Sequence, residues 1–164
     1  MQILPLTTKT LPFAIKLRDS IFKNIPINEV NTLNASLFKN NFKDTYRINN
    51  LAELSYFVVT NPSNNDVIAL TGIYSELGDI DTAWLGWFGV DDSIRNNGIG
   101  QNLLDFSINQ AKKLGFSHLN IYTYDSSEFQ SAIRLYRKNK FIEFTPSFKT
   151  RKKDLYFKLN LNLN

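Results

Sequence analysis

Apolar and polar positions along this chain change their period several times. Leu11 to Phe22 places apolar residues at 11, 14, 15, 17, 21 and 22, near the helical repeat. Asn28 reads as the N-cap of a second helix holding Val30, Leu33, Leu37 and Phe38. Residues 39–52 are polar and read as irregular, and Ile3–Leu6 reads as a short first strand. Three apolar, β-branched and aromatic runs follow: Ser55–Thr60 (SYFVVT), Val67–Tyr74 (VIALTGIY) and Ala83–Val90 (AWLGWFGV). The turn cluster Asn61-Pro62-Ser63-Asn64-Asn65 and the loop Ser75–Thr82 separate them, so they read as a meander.

The helical period then returns. Ile99, Leu103, Leu104, Ile108, Ala111 and Leu114 form one stripe, with Gly115 placed as a helix stop. Leu119–Tyr124 is a strand. Ser127 with Gln130 fits a capping box for a helix carrying Phe129, Ala132, Ile133 and Tyr136. Phe141–Phe144 and Leu155–Leu161 close as strands, the last with Leu155, Phe157, Leu159 and Leu161 turned inward. The plan predicts one mixed α/β domain over residues 1–164, with helices on both faces of a single sheet.

Composition narrows the chemistry. Hydrophobic residues are 43% and charged residues 21% of 164, an ordinary globular balance. There is no cysteine, so disulfides, thiolate metal sites and a thiol nucleophile are excluded. One histidine, His118, gives little basis for a structural zinc site, and no metal is expected. The N-terminus has no charged segment leading into an apolar core, and no run approaches a membrane span; a cytoplasmic protein is expected. The net charge of +4 is uneven. Residues 134–154 carry eight Lys/Arg against Glu143 and Asp154, which reads as a local solvated basic face.

The segment WFGVDDSIRNNGIGQNLL, Trp87–Leu104, asks for a chemical reason. The run before it is apolar on both faces, hence central in a sheet, yet it holds Gly86 and Gly89. Glycine inside a strand marks a bulge or a close backbone approach. Arg95-Asn96-Asn97-Gly98-Ile99-Gly100 then opens a helix, whose first N–H groups lack internal partners and carry positive potential. A phosphate suits that position. No Lys-Ser or Lys-Thr follows Gly100, and position 103 is leucine, so neither a P-loop nor a dinucleotide fingerprint is present.

FGVDDSIRNNGIGQNLL resembles the acetyl-CoA loop of the GNAT superfamily of N-acetyltransferases, Arg/Gln-x-x-Gly-x-Gly/Ala after a strand. AIRLYRKNKF, Ala132–Phe141, is similar to the family's Ala-Ile-x-Leu-Tyr-x-Lys-x-Gly-Phe. The resemblance implies a mixed, mostly antiparallel sheet of six to seven strands, whose fourth strand splays from the fifth. It implies that the pantetheine arm lies in that gap against main-chain groups of Phe88, Gly89 and Val90. Arg95 and the backbone of Asn96, Asn97, Gly98, Ile99, Gly100 and Gln101 would hold the pyrophosphate. Tyr136 would be the acid that protonates the departing thiolate. The sequence departs from the family pattern at Asn96-Asn97, where many members have Gly-Lys, at Phe129, where asparagine is common, and at Lys140, where glycine is usual.

The activity implied is transfer of the acetyl group of acetyl-CoA to a primary amine, on a small molecule or a protein. The acceptor pocket would use residues about 20–50 and the turn near 145–153. Glu53, Glu76, Asp79, Asp81 and His118 are the titratable groups open as a base; Trp84 holds the strand position where relatives place one. A non-catalytic acyl-CoA-binding module on the same fold is the alternative. The partners expected are acetyl-CoA and an amine, without nucleic acid or membrane; a homodimer is left open.

Overall fold

A computed structural model describes residues 2–64, 66–148 and 151–162. Asn65 of the turn cluster and Lys149 of the basic run lie outside the described residues. One eight-stranded sheet runs β1-β2-β3-β4-β6-β8-β7, with β5 attached to β3 alone. Its strands are β1 (Leu4–Pro5), β2 (Leu51–Thr60), β3 (Val67–Glu76), β4 (Thr82–Leu85), β5 (Gly89–Val90), β6 (His118–Tyr124), β7 (Ile142–Phe144) and β8 (Asp154–Asn160). All pairings are antiparallel except β4 with β6.

Helices cover both faces, as the two apolar stripes require. On one face α1 (Leu11–Ile21), α2 (Thr32–Leu37) and α3 (Lys43–Ile48) pack on β2 and β3, burying Leu17, Leu33, Leu54, Tyr56 and Leu70. On the other, α4 (Ile99–Lys113) and α5 (Gln130–Lys138) bury Leu104, Ala111, Ile133 and Tyr136 against Leu119, Ile121 and Phe157. Within β8, Phe157 is fully buried with Leu155 and Leu159 packed beside it, and Leu161 just beyond joins the same core.

Several local expectations are corrected. Residues 39–52 hold a 3-10 turn at Lys39–Asn41, then α3, then the start of β2. Six residues are too few to show a period, and only Thr45 and Tyr46 of α3 are buried. Asn28 does not cap α2, which starts at Thr32. Its side chain donates to Asn49 Oδ1 at 2.6 Å instead, tying the α1–α2 loop to the end of α3. The capping box at Ser127 is not formed: Ser127–Phe129 make a 3-10 turn, and Gln130 donates to Asp125 Oδ1 at 3.0 Å. The run Ala83–Val90 is two strands rather than one, which raises the count to eight.

Gly115 acts as expected. Its N–H donates to the Lys112 carbonyl and the next N–H, of Phe116, to Ala111, the paired bonds of a Schellman stop.

Candidate active site

The break between β4 and β5 is a β-bulge. Ile73 lies opposite Leu85 and Leu70 opposite Gly89, so two residues of β3 face three of the neighbouring segment, Gly86 to Phe88. Gly86 still donates to Gly72 at 2.8 Å, which leaves Trp87 and Phe88 together opposite Thr71. The glycines serve the protein's own packing at this point. A Cβ on Gly86 would sit 3.2 Å from the Tyr56 hydroxyl, and one on Gly89 would sit 2.7 Å from Ile21 Cδ1. Trp87 is fixed by its Nε1–H, which donates to Thr32 Oγ1 at 2.9 Å.

The bulge opens the sheet. β4 pairs with β6 only through Thr82↔His118, Ala83↔Leu119 and Trp84↔Asn120. Past Asn120, β6 pairs with β8 alone, while β5 pairs with β3 alone. Two strand edges therefore face one another unpaired. Asp91 donates to Ile68 at 2.9 Å, so by antiparallel alternation Gly89 and Asp91 address β3 and Val90 points its polar groups away from it.

The glycine loop lies at the end of β5. Asn96 and Gly98 both take left-handed backbone, with φ of +66° and +76°. Gly98 is the N-cap of α4 and offers no side-chain cap. The first intrahelical bond runs from Asn102 N–H to the Gly98 carbonyl, so the amides of Ile99, Gly100 and Gln101 have no helical partner. Arg95 is not a free cation beside them. Its Nε–H donates to the Val90 carbonyl at 3.0 Å and its other arm pairs with Asp92. Asn97 donates to the Ile94 carbonyl at 3.1 Å. The Gln101 side chain makes a reciprocal amide pair with Asn139, locking the loop to the end of α5.

Tyr136 is 4% exposed on α5, 6.1 Å from the Phe88 ring and 5.9 Å from that of Phe157. Burial pushes its phenol well above the ordinary tyrosine range, so it is protonated at neutral pH. Its hydroxyl bonds to no described residue. Phe129, where relatives carry asparagine, stacks on Phe22, whose ring lies 4.7 Å from Trp87.

The carboxyls separate by environment. Glu53 pairs with Lys39 at the surface, and Asp79 accepts the amides of Asp81 and Thr82 as a turn brace. The Asp81 carbonyl receives Ser117 and His118. Glu76 has its pKa raised by burial, then by Asp79. Glu29, in the α1–α2 loop, is raised by burial alone, and its charge bears on Tyr56 and Tyr74. Nothing in the sequence singled it out, since the tyrosines its charge bears on lie in β2 and β3, remote along the chain. A surface pocket of about 500 Å³ is lined by Lys39, Lys43, Tyr46, Arg47 and Leu77 among others and contains none of the loop residues. Among the described residues no group of three or more His, Asp or Glu could hold a metal ion, and no helix is long and apolar enough to cross a membrane.

The sequence matches the Acetyltransferase (GNAT) family over residues 27–141, and the chain belongs to that family. No curated protein matches it significantly. Among solved structures, an acetyltransferase of the GNAT family from Staphylococcus aureus is 22% identical, with a TM-score of 0.74 over 98% of both chains. A ribosomal-protein-alanine N-acetyltransferase from Brucella melitensis is 16% identical, with a TM-score of 0.66 over 98% of this chain and 99% of the other. A GNAT family acetyltransferase from Elizabethkingia anophelis, with acetyl-CoA bound, is 20% identical, with a TM-score of 0.65 over 97% of both. These likenesses show the shared fold.

Proposed function

We propose that this member of the GNAT acetyltransferase family, acting as a single domain over residues 1–164, moves the acetyl group of acetyl-CoA to a primary amine by direct attack on the thioester. The observation that carries the reading is the pair of unpaired edges of β5 and β6, with the uncapped mouth of α4 beside them. Amide groups of a pantetheine arm can add to such an edge as an extra strand would; Phe88 and the Val90 N–H offer main chain on the open side, while Gly89 between them is turned to β3. The free N–H groups from Asn96 to Gln101 suit a pyrophosphate. Arg95 supports this cradle through its bond to Val90 and adds positive charge.

An aliphatic amine, with a pKa near ~10.4, must lose a proton before its lone pair can attack. Nitrogen bonds to the acetyl carbon, the carbon–sulfur bond breaks, and sulfur leaves as thiolate. Tyr136, held protonated by its buried setting, gives that sulfur its proton and is restored by the second proton that the nitrogen sheds as the amide forms. Glu29 and Glu76 are the carboxyls whose charge reaches Tyr74, on the face opposite α4 and α5, and either can take the proton from the amine.

The test is thiol release from acetyl-CoA with a panel of amines: phenylethylamine, putrescine, glucosamine and a short peptide with a free N-terminus. Turnover with at least one amine, lost in Tyr136→Phe, is expected. Saturable coenzyme A binding with no release from any amine would sink the catalytic reading in favour of a binding module.

A further inference from the structure

Resting on that reading, we propose that the acceptor is a primary amine carried on an aromatic or other flat apolar group, and that the Asn120 carboxamide receives its nitrogen where β4 and β6 part. On β6, Leu119 and Ile121 turn to α4 and α5, so Asn120 faces the opposite side of the sheet. It pairs with Trp84 on β4 and Lys158 on β8, and it is the last β6 residue with a β4 partner. The gap assigned to the thioester begins one residue further on.

Asn120 is 7% exposed, and its Oδ1 is enclosed with no donor. Its carboxamide bonds to no described side chain or backbone group. A buried amide oxygen in a folded protein normally has a partner, so one that lacks it points to a donor from outside the chain. An amine that gives one N–H to this oxygen keeps its lone pair for the acetyl carbon.

Apart from Lys158 on β8, the walls around Asn120 are aromatic. Trp84 stacks on Tyr74 with centroids 6.3 Å apart, and meets the edge of Tyr156 at 6.4 Å. Tyr156 continues to Tyr122 at 5.2 Å and to Phe148 at 5.5 Å, and Phe148 is 61% exposed. The helices of this face pack mainly on β2 and β3, which leaves the β4–β6–β8 surface to the aromatic side chains. The carboxylate among them, Asp154, is already engaged by Arg151 and the Tyr122 hydroxyl. A polyamine would set its second charge near Lys158, the partner of Asn120 on β8, and a sugar would find one carboxamide for many hydroxyls. A single amine on an apolar carrier matches both the rings and the lone oxygen.

Calorimetry on the full chain tests this, in wild type, Asn120→Leu and Asn120→Asp. Coenzyme A is titrated first, then phenylethylamine, putrescine and glucosamine into the coenzyme A-loaded protein. Phenylethylamine is expected to bind wild type at least about tenfold more tightly than the other two, with about the same loss in Asn120→Leu, as for one buried hydrogen bond. Asn120→Asp, which keeps an acceptor oxygen, should restore binding, and coenzyme A affinity should be equal in all three proteins. Equal affinities for the three amines, or an Asn120→Leu protein that binds phenylethylamine normally, overturns the proposal. So does a crystal structure with phenylethylamine in which Asn120 meets only ordered water. A wild type that does not bind coenzyme A removes the acetyl-transfer reading itself, and the proposal with it.

Discussion

The Phe141 N–H donates to the Tyr136 carbonyl at 3.1 Å, and the two rings lie 6.1 Å apart. Lys140 N–H donates to Arg137 in the same turn, so the end of α5 is a Schellman stop with its usual apolar contact. The stretch YRKNKF is therefore a device that fixes Tyr136 by its carbonyl and its ring at once. The hydroxyl is the part left without a partner. Tyr136→Phe should melt within a degree or two of wild type while kcat falls by about a hundredfold or more, in the range for loss of a general acid. Thiol release and calorimetric coenzyme A binding check it, and an unchanged kcat would remove Tyr136 from the chemistry.

Lys140 occupies the left-handed position of that stop, with φ of +65°. A side chain there costs about 1–2 kcal/mol relative to glycine. Lys140→Gly should raise the melting temperature and leave thiol release unchanged. A lower melting temperature would mean that the lysine makes a stabilising interaction larger than this strain.

How much of this was legible in the sequence depended on the length of each element. The stripe from Ile99 to Leu114 and the Gly115 stop were plain, because fifteen residues of α4 repeat the period several times. Residues 43–48 were not, because one and a half turns cannot display it. Gly86 and Gly89 signalled a bulge, yet the space they leave is taken by Tyr56 and Ile21, which no local reading of the strand could supply. Arg95 was legible as a loop cation, but its bond to Val90 depends on a turn formed by Asp91 to Ile94. Asn120 carried no motif, and its orphaned oxygen appears only when β4, β6 and β8 come together.

The two loop glycines should behave oppositely. Gly98 has φ of +76°, so Gly98→Ala should lose about 1–2 kcal/mol and weaken coenzyme A binding by disordering the mouth of α4. Gly100 is inside the first turn of α4, and a Cβ there meets only Leu135 Cδ2 at an ordinary 3.7 Å. Gly100→Ala should hold or gain up to about 1 kcal/mol of stability, from better helix propensity. Urea melts of the two variants decide this, and equal losses would show that the loop is not arranged as described.

Glu29 predicts a pH-dependent stability difference. Burial raises its carboxyl above the ordinary value, so the folded state holds this proton more tightly than the unfolded chain. The group is harmless to stability below the unfolded pKa, and its penalty grows as pH rises through the folded one. Glu29→Gln removes the charge and keeps the shape. The variant should melt above wild type at pH 8 and level with it at pH 4. The reverse order at pH 8 would mean that the carboxylate has a stabilising partner.

Arg95 separates charge from geometry. A loop cation that attracts pyrophosphate through space could be replaced by lysine with little loss. The arginine here uses its Nε–H on the Val90 carbonyl and another arm on Asp92, while its side chain remains 43% exposed. Lysine carries its donors on a single nitrogen rather than in a planar fork and cannot hold both groups in the same plane. Arg95→Lys should therefore weaken coenzyme A nearly as much as Arg95→Ala, by about tenfold or about 1.4 kcal/mol. The shared cause would be a loosened turn between β5 and α4. Titrations at two salt concentrations give the control, since a lost phosphate contact flattens the salt dependence and a lost loop brace leaves its slope in place. If Arg95→Lys binds like wild type and only Arg95→Ala loses affinity, the charge is what matters and the bond to Val90 is incidental.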